Sequence, residues 1–260
     1  MSDYNTNPAA RYGTARARVE VDAGLRAYML RVYNYMALGL AITGAAALGI
    51  YMLSVATDPA TAVATYRGIR LTALGAFLFS SWFQWVVIFA PLAFVLVLSF
   101  GIQRLSVGAA QALFWIYAAL VGVSFAVLLM VYSGQSVART FFVTAAAFGA
   151  LSLYGYTTRR DLSGFGSFLI MGLFGIIIAS VVNIFLASSM LQFIVSVVGV
   201  LVFAGLTAYD TQRLKNDYIN GYASQGGDVA ERAAITGALS LYLNFINLFT
   251  LLLQLLGQRD

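Results

Sequence analysis

The sequence predicts an all-α integral membrane protein built from seven transmembrane helices. Three observations predict it. Of 260 residues, 61% are hydrophobic and 10% charged, whereas soluble domains carry roughly a quarter charged residues, and the mean hydropathy is +0.84. The charged positions cluster in short intervals between long uncharged runs. Those runs have the length of a bilayer crossing, about 20 residues. With so few ionisable groups the chain cannot cover itself with polar surface, so the lipid bilayer is its principal partner.

Residues 1–27 read as a flexible cytoplasmic tail. They are polar and small, carry Arg11, Arg16, Arg18 and Arg26, and lack the apolar stretch of a secretory leader. Residues 28–260 read as one seven-helix transmembrane domain. The uncharged run Val32–Thr57 holds the first span, Leu71–Gln103 the second, Leu105–Ala138 the third and Thr140–Thr158 the fourth. The run Leu162–Tyr209 is about twice a span in length, so it must hold two helices with a turn near Ala187–Ser189. Ala233–Gln258 holds the seventh. The predicted helices are 33–53, 82–101, 107–131, 137–156, 164–186, 190–209 and 236–256.

Positive residues orient the bundle. Eleven of the fifteen fall on one face: five through Arg31, then Arg104, Arg159, Arg160, Arg213, Lys215 and Arg232. Arg67, Arg70, Arg139 and Arg259 fall on the other. The amino terminus is expected in the cytoplasm and the carboxyl terminus on the opposite side.

Small residues four apart, Ala41-Ala45-Gly49 and Ala145-Gly149, predict close helix packing. Pro91 inside the second span predicts a kink there. Trp82, Trp85, Tyr132, Tyr154 and Tyr156 fall near predicted span ends, where aromatic anchors sit.

The absence of Cys and His excludes thiol chemistry, imidazole bases and the common His/Cys metal sites. Lys215 is the one lysine and lies in a polar loop, so no Schiff base is buried in the membrane. The scattered arginines form no basic face for nucleic acid, and no Gly-rich phosphate loop is present. No cofactor is implied. Serine-protease chemistry lacks its base. Tyr209-Asp210 resembles the first motif of an intramembrane aspartyl protease, but Asp228, the nearby second acid, sits in a polar loop without the matching motif. The chain is not expected to be an enzyme.

Asp210 is the only acid inside or at the rim of the apolar spans. It reads equally as an intramembrane acid marking an ion path and as an interfacial loop residue beside Arg213 and Lys215. Asn183, Asn244 and Asn247 lie deeper. Their amides neither carry charge nor act as bases, and they read chiefly as interhelical hydrogen-bonding groups.

Five stretches carry a resemblance to a known family: Ala90-Pro-Leu-Ala-Phe-Val-Leu96, Tyr154-Gly-Tyr-Thr-Thr-Arg-Arg-Asp-Leu-Ser163, Ile178-Ala-Ser-Val-Val-Asn-Ile-Phe185, Leu206-Thr-Ala-Tyr-Asp-Thr-Gln-Arg-Leu-Lys215 and Ala238-Leu-Ser-Leu-Tyr-Leu-Asn-Phe-Ile-Asn-Leu-Phe249. From Arg26 to Gly257 the chain resembles the Bax inhibitor-1-like (transmembrane Bax inhibitor motif) proteins in their bacterial branch. The resemblance implies a multi-pass inner-membrane protein, a seven-helix Bax inhibitor-1-like bundle with a central seventh helix and, in some members, a pH-sensitive calcium leak governed by two facing aspartates. The first aspartate matches Asp210. The second falls on Asn244, where the family pattern often has Asp.

Paired carboxylates titrate as a coupled unit, and an Asp beside an Asn loses that coupling. The resemblance therefore implies a calcium or cation leak with an altered sensor and a weaker or acid-shifted pH response. Asp210 would be a weak calcium contact aided by neutral oxygens, with no firm metal site. Asn183, Asn247 and Arg104 are candidate supporting residues. Arg104 lies out of register with the family's basic latch, whose place falls on Ile102 or Gln103. The alternative is a non-conducting regulator in a stress response, acting on a membrane-bound AAA protease that engages the amino-terminal tail.

Overall fold

A computed structural model describes residues 8–66, 68–101, 105–224 and 227–258. Among them are eight α-helices: α1 Pro8–Ser54, α2 Ala73–Phe79, α3 Gln84–Gly101, α4 Val107–Val131, α5 Gly134–Thr157, α6 Ser163–Leu186, α7 Ser189–Asn220 and α8 Gly227–Leu256. Six of these are long and apolar enough to cross a membrane. The pair α2 and α3, bent by 60° across a short break, makes seven if it forms one span. The protein is an all-α membrane bundle, as the uncharged runs predict.

Helix α8 is the hub. It packs against α1, α4, α5 and α7, and Ile235, Leu241, Tyr242 and Leu253 along it have no exposed surface. Tyr242 ties three helices together. Its ring meets Phe114 and Tyr117 of α4 edge-on, with centroids 5.7 and 5.8 Å apart. Its hydroxyl lies 2.7 Å from Thr43 Oγ1 of α1, and Thr43 in turn reaches the Ala118 carbonyl of α4 at 2.8 Å. Polar groups inside a bundle have no water to bond, so such partners decide which helices are neighbours.

The turn expected near Ala187–Ser189 is present. Ala187 takes a left-handed conformation (φ 47°) and the Ser188 hydroxyl caps α7 by accepting from Leu191 N. Other boundaries differ from expectation. Residues 8–27, expected as a flexible tail, continue the first helix, and Leu25 is buried in the main core; residues 1–7 lie outside the described residues. Helices α7 and α8 run on to Asn220 and back to Gly227. Charge ends a span but not a helix, because Gln, Arg, Leu and Lys are good helix formers in water. The second uncharged run is broken at Ser80–Phe83, and Pro91 lies inside α3. There the Ser81 hydroxyl donates to the Phe77 carbonyl and accepts from Phe83 N, satisfying backbone groups that the break exposes. A two-stranded hairpin, β1 Ala64–Tyr66 and β2 Ile69–Leu71, precedes α2; Gly68 supplies the positive φ (87°) of its turn.

The expected small-residue interfaces are not the tight ones. Gly49 and Gly149 face open space. The close approaches fall at Gly122, against the Thr43 carbonyl of α1, and at Gly155, where an added Cβ would overlap the Ala208 carbonyl of α7. Tyr132 is likewise no surface anchor. It is 5% exposed and packs beneath Gly257, whereas Trp82 and Trp85 are exposed. Backbone cannot yield to a methyl group as a flexible side chain can. Gly155→Ala is therefore expected to destabilise the protein by about 1–3 kcal/mol, while Gly149→Ala, with open space at its Cβ, is expected to gain up to about 1 kcal/mol from helix propensity, as thermal unfolding in detergent would read directly.

Candidate functional site

Helices α6, α7 and α8 enclose a crevice of about 760 Å³. Its walls are Leu92 of α3, an apolar face of α6 including Ile170 and Ile177, Phe203 to Arg213 of α7 and one face of α8. The α8 face carries Ser240, Asn244, Asn247, Leu251 and Gln254. Their spacing of four and three alternately keeps them on one stripe of a 3.6-residue helix. The polar stripe thus faces the crevice while the rest of α8 is packed into the core.

Asp210 is the one carboxylate among the residues lining the crevice. It lies inside α7, is 7% exposed, and has a donor on each oxygen. Asn244 Nδ2 donates to Oδ2 at 2.8 Å. Arg213 Nη2, three residues along the same helix, donates to Oδ1 at 2.9 Å. The Arg213 guanidinium also lies 5.7 Å from the centre of the Tyr209 ring, and the Tyr209 ring leaves no room for a side chain at Gly166 of α6. Asp210 lies within α7 and not in a loop. The sequence pairs Asp210 with Asn244 and the structure brings them into contact.

The other candidates fall elsewhere. Asn247 donates to the Leu243 carbonyl of its own helix at 2.8 Å and lines the crevice beyond Asn244. Asn183 is remote from Asp210: at the α6–α7 turn it donates to Gln192 Oε1 at 3.2 Å and accepts from Ser188 N. Arg104, Ile102 and Gln103 lie outside the described residues. Asp228 opens α8, sixteen residues before Asn244, or about 24 Å along the axis, so it forms no acid pair with Asp210. Among the described residues, no three Asp or Glu side chains gather into a cation cage.

Sequence reasoning missed two components. The counter-ion of Asp210 is Arg213, legible as an i,i+3 Asp–Arg pair once α7 is known to run past Tyr209. The polar stripe of α8 includes Ser240 and Gln254, legible as polar residues in phase with Asn244 and Asn247.

Two further cavities abut the crevice. One of about 510 Å³, lined by Tyr28, Asp217, Tyr222 and Arg232, shares Arg213 and Ser240 with it. The other, of about 690 Å³, lined by Tyr66, Tyr132, Asn183 and Gln192, shares Ile184 and Gln254. Their α8 linings follow one another along the helix, with Arg213, the counter-ion of Asp210, and Ser240 shared at the first junction. Neighbouring contacts brace this end: Gln212 holds the α5–α6 loop through Leu162 N at 2.8 Å and the Arg160 carbonyl at 2.7 Å, and in that exposed loop hydrogen bonds from Ser163 hold the Asp161 carboxyl below its ordinary pKa.

Comparison with known proteins places this arrangement in company. The family profile described as "Inhibitor of apoptosis-promoting Bax1" matches residues 25–260. An uncharacterised protein of Caulobacter vibrioides is 48% identical over 99% of this chain and 98% of its own length. The uncharacterised protein RP147 of Rickettsia prowazekii is 45% identical over 92% of each chain. The inner membrane protein YbhL of Escherichia coli is 43% identical over 96% of this chain and 99% of its own.

The Asn244 donor meets a carboxylate that is 7% exposed. Asn244→Ala is expected to cost about 1–3 kcal/mol of stability, and Asn244→Gln less, when purified protein is unfolded thermally in detergent. Equal melting temperatures for wild type and Asn244→Ala would mean that the contact contributes nothing.

Proposed function

The chain belongs to the Bax inhibitor-1-like family, and from that premise we propose that it is a multi-pass inner-membrane protein through which calcium or a similar cation leaks passively, with Asp210 as the inner carboxylate and Asn244 as its altered sensor partner. The observation that carries the reading is the succession of three cavities along α8, with Asp210 lining the middle one and its counter-ion Arg213 shared with the first. An ionisable group at membrane depth is costly to keep and marks an ion path by default. The printed name of the Escherichia coli relative supports the inner membrane. The excess of Arg and Lys on one face supports a cytoplasmic amino terminus, with the Asp210 end of the crevice inward and the carboxyl terminus on the opposite side.

The chemistry sets the strength of the contact. Calcium takes six to eight oxygens in its preferred sites; Asp210 offers one carboxylate, assisted by the neutral oxygens of Asn244 and Asn247. Each Asp210 oxygen already accepts one donor, so an entering cation competes with the Arg213 guanidinium for the carboxylate charge. An Asn in the second position cannot hold or release a proton, so the pair lacks the coupled titration of two facing carboxylates.

Calcium entry into proteoliposomes, followed from about pH 5 to about pH 8, tests this. Wild type is expected to leak with little pH dependence, and Asp210→Asn to lose about tenfold or more of the flux, the equivalent of one charge-assisted contact. Asn244→Asp is expected to gain a pH step that wild type lacks. No flux from wild type above empty liposomes, with flux from Asn244→Asp, would overturn the leak and assign the chain a non-conducting regulatory role, with the membrane-bound AAA protease as the partner to test.

A further inference from the structure

The crevice has a second polar boundary far from Asp210. Gln254 lies ten residues beyond Asn244 on α8, about 15 Å along the axis. Its side chain lines both the crevice and the cavity beyond. The Gln254 Oε1 atom accepts from Gln192 Nε2 of α7 at 2.8 Å and shares the Ser196 hydroxyl proton, at 3.0 Å, with the Gln192 backbone carbonyl at 2.9 Å. Gln192 Oε1 in turn accepts from Asn183 Nδ2 of α6 at 3.2 Å. Three amides and a hydroxyl from three helices are thus joined across the junction of two cavities. Ser196 is 2% exposed.

We propose that this amide cluster is a second cation-contact site and the far closure of the path, with Gln254 as its limiting residue. The proposal deepens the leak reading and rests on it for its flux consequence only. Amide carbonyl and hydroxyl oxygens are the neutral ligands that hard cations accept in place of water. A cation leaving the crevice must take the Gln254 carbonyl from its two donors. While those bonds are made, the carbonyl is turned toward α7 and the crevice is shut from the far cavity.

The cluster works without a proton. The ionisable residues lining the far cavity are the phenols Tyr66 and Tyr132, and those lining the crevice, Tyr209, Asp210 and Arg213, lie at its other end. Closure at Gln254 is therefore independent of pH across the range in which carboxylates respond. Any pH step belongs to the Asp210 end.

The sequence contains no cysteine, so a single introduced thiol reports access without background. Thr250 lines the crevice and bonds only to the Ile246 carbonyl of its own helix. In full-length Thr250→Cys protein reconstituted in liposomes, a charged, membrane-impermeant thiosulfonate added from the Gln254 side is expected to react slowly. Adding Gln254→Met, which keeps the volume and removes the acceptor, is expected to speed labelling about tenfold, as two lost hydrogen bonds allow. Gln254→Glu keeps the acceptor and is expected to stay slow. In the otherwise wild-type chain, Gln254→Met is expected to raise calcium flux by one factor at every pH. Unchanged labelling in a Gln254→Met protein that melts like wild type would overturn the closure. Faster labelling with no flux from any variant would leave the closure standing and overturn the leak.

Discussion

Everything in this bundle depends on where α8 can put its polar residues. Its stripe of Ser240, Asn244, Asn247 and Gln254 cannot face lipid without leaving amides unbonded in hydrocarbon, at a cost of several kcal/mol each. The helix must therefore be surrounded. Once α1, α4, α5 and α7 enclose it, the stripe has protein on its flanks and a crevice in front, and the apolar remainder supplies the largest core cluster. The outer helices tolerate the reverse: α6 exposes Phe168, Phe174, Ile178 and Phe185, an apolar surface suited to hydrocarbon.

The site inherits its geometry from this arrangement. Asp210 is held by one donor from its own helix and one from α8, so its environment reports the register of α7 against α8. The Gln254 end is held in the same way by α7 and α6. Between the two ends the crevice wall on α6 is apolar. Polar contact is concentrated where helices meet, and the intervening space is neither charged nor tightly filled.

Much of the fold was legible in the sequence because lipid imposes a length on every uncharged run. The six long spans and the turn at Ala187 follow from that rule alone. What it missed has physical reasons. Charge marks the membrane boundary, not the helix boundary, so α7 was read as ending at Tyr209 when it continues through Arg213 and Lys215 with Thr211, Gln212 and Leu214 still buried against protein. The break at Ser80–Phe83 contains no charge and no proline; a serine supplying the freed backbone groups leaves no mark that composition can detect. Gly49 and Gly149 sat in a packing pattern but on the wrong side of their helices, and a pattern of small residues says nothing about which face has a neighbour. The contact between Asp210 and Asn244 was legible through the family resemblance, not through spacing. Gln254, uncharged and near a chain end, carried a signal only in phase with the other amides of α8.

The position of Arg213 has a further consequence. Asp210 and its counter-ion stand one turn apart on the same rigid helix, so any tilt or slide of α7 carries both charges together. The unit that moves is electrically neutral. A displacement that transports no net charge through the membrane field does no work against it, so in the proposed path the bilayer potential would act on the permeating cation and not on this pair.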